Sequence, residues 1–220
     1  MKKNKLKRYA EVKSLPNIIE VELLNSETET LTHHWDNYFN NSNEVILELG
    51  CGKGEYTVAL AEENKNKNYI GIDIKGARIW SGAKQALLKE LHNVLFLRMY
   101  IDHIDTFFPK NSISEIWITF PDPYPKHRSK FIEKRLTSEV FLEKYQKIIK
   151  STAKIHLKTD SALLYNFTLD SVKNKGGIIH VADDNIYDNS QESAVTAIQT
   201  RFEKKFLEQK IPIKYICFSI

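Results

Sequence analysis

Cysteine is nearly absent from the 220 residues: only Cys51 and Cys217 occur, far apart in the chain. That excludes a disulfide framework and any CxxC or Cys/His metal spacing, and it agrees with a reducing compartment. Long apolar runs are missing too. No stretch approaches the roughly 20 residues of a membrane-spanning helix, so no membrane partner is expected. The basic start, MKKNKLKRYAEVK, is followed by neither an apolar core nor a small-residue cleavage site. It does not read as a secretory leader, and the cytoplasm is the expected compartment. The seven histidines follow no ligand spacing, so no metal is expected. Glycine and proline are scarce at eight and six, yet both are concentrated, with three glycines in residues 50–54 and three prolines in residues 121–125.

The net charge is a modest +4, and its distribution says more than its size. Residues 2–13 carry Lys2, Lys3, Lys5, Lys7, Arg8 and Lys13 against Glu11. Residues 126–135 carry Lys126, Arg128, Lys130, Lys134 and Arg135 against Glu133. Either cluster alone could be a solvated face or tail. The second directly follows the candidate active-site loop, which favours contact with phosphates. The length suits one α/β domain, read as residues 44–220 behind a basic extension of residues 1–43.

EVILEL (44–49) is a short, almost continuous apolar run of the kind a buried parallel strand shows, and GCGKG follows it at once. A helix over 55–64, a strand over 68–73, a helix over 77–91 and a strand over 94–99 complete a βαβαβ half. The second half continues with a strand at 114–120, a proline-rich basic loop, a helix near 138–150, a strand at 153–159 and a helix near 161–173. Strands at 177–182 and 212–220 bracket a helix near 193–208. This alternation predicts a doubly wound, mostly parallel, seven-stranded sheet with a final antiparallel strand.

In such sheets ligands bind at the carboxyl ends of the strands beside the switch point, so Gly50, Gly52 and Gly54 are expected to face the ligand. A Cβ there would obstruct the turn and the approach of backbone to ligand. Asp73 ends the second strand, where a carboxylate can accept from both hydroxyls of a ribose. A nicotinamide-dependent oxidoreductase shares that acid. The turn lacks GxGxxG spacing, however, and Glu48, two residues before the first glycine, suits the cationic methionine end of S-adenosylmethionine better than a pyrophosphate. The plainer alternatives are that Glu48 is a strand-end residue satisfied by nearby N–H groups and that Asp73 caps the following helix.

The segment FPDPYPKHRSKFIEKRLT resembles the signature of the bacterial tRNA (guanine-N7-)-methyltransferases, through Phe120, Pro121, Asp122, Pro123, Tyr124, Pro125, Lys126, Arg128, Arg135 and Leu136. The resemblance continues through ELGCGKG, YIGID, LKTD ending in Asp160, and TRFEKKF from Thr200. It implies a Rossmann-like class I methyltransferase fold, S-adenosylmethionine as cofactor, tRNA as partner, and a guanine at position 46 of the variable loop as target. It places Glu48, Asp73 and Asp122 at the cofactor, with Asp122 also catalytic. Lys126, Arg128, Asp160, Thr200, Arg201, Phe202 and Glu203 fall at the substrate. The family's usual acidic or amide residue after the third strand falls on Tyr100, with Asp102 two residues on. Tyr124 stands where Trp is commoner, and the basic loop is about two residues longer, Phe131 and Ile132 among them. An exocyclic-amine methylase would need a second Pro between Asp122 and Tyr124. An RNA-binding protein that kept this fold without catalysis is the remaining rival, and the intact Glu48, glycine turn, Asp73 and Asp122 oppose it. Monomer and homodimer both stay open.

Overall fold

The computed structural model describes residues 2–21, 35–124, 132–188 and 194–220. The first half contains α1 (Lys2–Val12), β1 (Ile18–Glu20), α2 (Trp35–Phe39), β2 (Val45–Leu49), α3 (Glu55–Glu63), β3 (Asn68–Ile72), α4 (Gly76–Leu88), β4 (Val94–Arg98) and α5 (Ile104–Phe107). The second contains β5 (Ile113–Thr119), α6 (Glu139–Ile148), β6 (Ile149–Thr159), α7 (Ala162–Asn174), β7 (Ile178–Asp183), α8 (Ala194–Ala197), α9 (Arg201–Glu208) and β8 (Lys214–Ser219).

All five side chains of β2 are buried, as a central strand covered on both faces requires. Val45, Leu47 and Leu49 enter one apolar cluster and Ile46 the other, following the two-residue period of the pleat. The sheet order is β1-β4-β3-β2-β5-β6-β8-β7, parallel except for β8, which runs antiparallel between β6 and β7. The seven strands read from the sequence are β2 to β8. The eighth, β1, comes from the N-terminal segment and pairs with β4 at the sheet edge. From β2 the chain winds outward through β3 and β4, then returns to β5 on the other side of β2. The switch point therefore lies between β2 and β5.

The same N-terminal segment packs against α4. Val12 is fully buried, Glu11 accepts from Trp80 Nε1 at 2.8 Å, and the Arg8 guanidinium lies 4.8 Å from the Trp80 ring centroid. One expected element differs: the single helix read over 193–208 is interrupted. Thr200 and Glu203 form a reciprocal capping box that starts α9 afresh, while the Lys158 ammonium takes the carbonyls of Val195 and Ile198 that a continuous helix would use internally.

Candidate cofactor and substrate site

Because β2 to β6 are parallel, the residues that follow them share one edge of the sheet: Gly50, Asp73, Tyr100, Phe120 and Asp160. Gly50, Gly52 and Gly54 all adopt positive φ, at 73°, 56° and 69°. A Cβ on Gly50 or Gly52 would meet nothing closer than 3.8 Å, so the backbone is open on that side to a ligand. Gly54 answers to a different constraint. Its Cβ would lie 2.4 Å from the Phe96 ring, so what demands glycine there is packing between the turn and β4.

Asp73 ties the turn to β3. Its Oδ2 accepts from Gly52 N–H at 3.0 Å and its Oδ1 from Lys75 N–H at 2.8 Å. It does not cap α4, whose N-cap is Lys75. The arrangement fits a nucleoside: an acidic side chain fixed beside an open glycine turn, with lone pairs remaining for ribose hydroxyls.

Glu48 spans the switch point. Its Oε2 accepts from the N–H and hydroxyl of Thr57 on α3, and its Oε1 from the Thr119 hydroxyl of β5 at 2.8 Å. Burial pushes its carboxyl up from 4.5 to about 7, against the opposing effect of these hydrogen bonds. The threonine partners were not legible in the sequence, because they stand 9 and 71 residues away with no motif joining them.

The loop after β5 leaves the sheet through Phe120 at φ 48° and reaches Tyr124 at φ 43°, both in the left-handed region. Between them Asp122 is exposed, and its Oδ1 accepts from Tyr124 N–H at 3.1 Å. Arg135 is buried beneath. Its Nε donates to the Pro123 carbonyl at 2.9 Å, an Nη donates to the Tyr124 carbonyl at 2.7 Å, and its guanidinium lies 4.4 Å from the Phe167 ring centroid. Read from sequence as part of a basic cluster, Arg135 is instead a strut for this loop. The next residue, Leu136, lies 3.8 Å from where a Gly50 Cβ would stand, which sets the loop's anchor against the glycine turn. Tyr100 is half exposed and caps a short 3-10 turn containing Asp102. The Tyr124 hydroxyl is pushed up by burial and then by Asp122 and Asp102, which brings the end of β4 into the field of this loop.

Asp160 is half-buried at the bend after β6. Thr200 and Glu203 are buried, whereas Arg201 and Phe202 are exposed, Phe202 at 61%. The Glu203 carboxylate points inward to an ion pair with Lys158 and not toward the open edge. Lys126 and Arg128 lie outside the described residues.

A family model described as "Putative methyltransferase" matches residues 42–216. The tRNA (guanine-N(7)-)-methyltransferase of Christiangramia forsetii is 46% identical over 222 residues, covering 99% of this chain and 98% of its own length. That of Bacteroides fragilis is 39% identical, covering 100% and 87%. Among solved structures, the 16S rRNA methyltransferase KamB matches with a TM-score of 0.65 at 12% identity, covering 88% of this chain and 95% of its own. An antibiotic-related methyltransferase gives 0.61 at 20%, covering 89% and 96%. The two structural likenesses concern the fold alone. By the family match and the near full-length identity to these relatives, the chain belongs to the methyltransferase family that includes the tRNA (guanine-N(7)-)-methyltransferases.

Proposed function

We propose that the chain transfers the methyl group of S-adenosylmethionine to N7 of a guanine in tRNA, with position 46 of the variable loop as the target. The observation that carries this reading is the join between the open glycine turn, with Asp73 fixed beside it, and the strained loop that presents Asp122. The relatives bearing the activity in their names match nearly the whole chain, which supports the same reading.

Asp73 and the turn at Gly50 and Gly52 would hold the nucleoside, and Glu48 stands where the cationic methionine end would lie. S-adenosylmethionine supplies an electrophilic methyl on a sulfonium. Guanine N7 carries a lone pair and no proton, so no side chain has to act as a base. The work left to the protein is orientation and electrostatics. Asp122 and Asp160 are two of the carboxylates at this edge, and beside the purine they would favour the positive charge it acquires in the transition state more than the neutral purine of the ground state. A carboxylate can also accept from guanine N1–H and the N2 amine, which disfavours adenine through unpaired groups in the wrong complex. Lys126 and Arg128 would hold phosphates, giving affinity without base choice.

The test is transfer of labelled methyl to tRNA, compared with tRNA carrying 7-deazaguanine at the target. Label is expected on the first and none at that base on the second. Methylation of the 7-deaza base would overturn the N7 assignment. Asp122→Asn keeps the size and removes the charge, so turnover is expected to fall strongly with a smaller change in tRNA affinity. A rate that instead rises with pH through a carboxylate titration would mark Asp122 as a base.

A further inference from the structure

Lys158, one residue before the end of β6, is wholly buried, yet its ammonium has all three protons placed. They go to Glu203 Oε1 at 2.7 Å, the Val195 carbonyl at 2.7 Å and the Ile198 carbonyl at 3.2 Å. The ammonium also lies 5.3 Å from the Tyr56 ring centroid. Glu203 is equally buried and equally committed. Its Oε1 accepts a second hydrogen bond from the Tyr187 hydroxyl at 2.7 Å, and its Oε2 faces Thr200 N–H at 3.4 Å. Burying two charges is unfavourable unless their polar atoms find partners, and here all three ammonium protons and both carboxylate oxygens have one. The pair sits between two walls of the site. Through its carbonyl, Lys158 accepts from Phe120 N–H at 2.8 Å, at the start of the loop that presents Asp122. Through its side chain it fixes the junction of α8 and α9, from which Arg201 and Phe202 project outward. The rings of Phe120 and Phe206 close the same joint at 5.8 Å.

We infer that Lys158 and Glu203 are positioning residues: their buried ion pair sets the Thr200–Glu203 segment against the loop of Asp122, and Glu203 acts through Lys158 and not on the nucleobase. The inference rests on the methyl-transfer reading above for its substrate. Arg201 and Phe202 then become the part of the segment that meets RNA.

Removing one partner leaves the other as an unpaired buried charge, whereas removing both does not. Lys158→Met and Glu203→Met are each expected to raise KM for tRNA about tenfold or more, with a smaller change in kcat and cofactor affinity held within about twofold. The double variant Lys158→Met/Glu203→Met is expected to recover most of that loss. If Glu203 touches the base, the double variant can be no better than Glu203→Met alone, and that result overturns the inference. Should Glu203→Met fail to fold, Glu203→Gln takes its place, since it keeps the volume and an acceptor. Amide exchange at residues 200–204 gives a readout independent of tRNA: faster in each single variant, slower again in the double. A wild-type protein that transfers no methyl to tRNA would sink the functional reading, while the exchange pattern would still decide the positioning role. Unchanged exchange in the single variants would reject it.

Discussion

Glu48 is a carboxyl group whose hydrogen-bond partners among the described residues are Thr57 and Thr119, and its raised titration turns that placement into a measurable pH dependence. Between about pH 4.5 and about 7 the folded protein keeps a proton on Glu48 that the unfolded chain has already released. Its contribution to stability is therefore fully present below 4.5 and is lost as pH rises through about 7, by about 3 kcal/mol in all. Glu48→Gln is expected to flatten this part of the profile, read as denaturation midpoints at pH 5 and pH 8 for both proteins. If Glu48 also meets the cationic end of the cofactor, binding favours its ionised form and releases protons near neutral pH. Calorimetry in two buffers of different ionisation enthalpy counts them. A retained slope in stability with no proton release would leave Glu48 as a strut between β2, α3 and β5 and remove it from the cofactor site. Position alone singled out Glu48 in the sequence, two residues before Gly50. Its burial and its partners needed the fold, because Thr119 reaches it across the switch point.

The strands and most helices were legible because a doubly wound sheet writes itself in apolar runs separated by turns, and β2 to β8 stand within a few residues of the expected spans. What escaped were contacts between elements. The helix expected over 193–208 reads as continuous by composition, and its break is dictated from β6 by Lys158. The loop after β5 escaped in the same way. Its prolines and basic residues were plain, but nothing in the sequence tells that Phe120 and Tyr124 take left-handed conformations, each costing on the order of 1 to 3 kcal/mol. Two hydrogen bonds from a buried guanidinium, each worth roughly 1.5 to 3 kcal/mol, offset that strain. Arg135→Lys keeps the charge but not the planar fork that reaches two successive carbonyls. The expected result is a fall in turnover of about tenfold or more, with cofactor affinity unchanged and a lowered melting temperature. Turnover equal to that of the wild type would show that the loop holds its shape without the strut.

At the scale of the molecule, the described end of the basic segment after β5 and the helix α1 lie on different halves of the sheet. Lys134 follows β5 and is exposed, whereas α1 rests on α4 beside β3 and β4, where Arg98 lies 5.5 Å from the Tyr9 ring centroid and would lie 3.2 Å from a Cβ on Gly76. The sequence showed the basic start without its placement, because the interactions that fix it, Arg8 on Trp80 and Glu11 with Trp80, join residues far apart in the chain. With α1 docked, its charge becomes part of the molecule's field and not that of a loose tail. Lys2, Lys3 and Lys5 can be changed to Gln while keeping Lys7, which pairs with Glu11 at 3.9 Å, and the docked residues Arg8, Glu11 and Val12. The expected result is weaker tRNA binding with a shallower dependence on salt, the slope falling by roughly 0.7 to 0.9 for each phosphate that is no longer neutralised. Because phosphate recognition carries no base information, the choice of guanine should stay as it was. The measurement is the slope of log affinity against log salt for wild type and variant, with the modified base mapped in both. Equal slopes would show that α1 packs on the domain without meeting RNA, and a changed target base would mean that this helix reads more than charge.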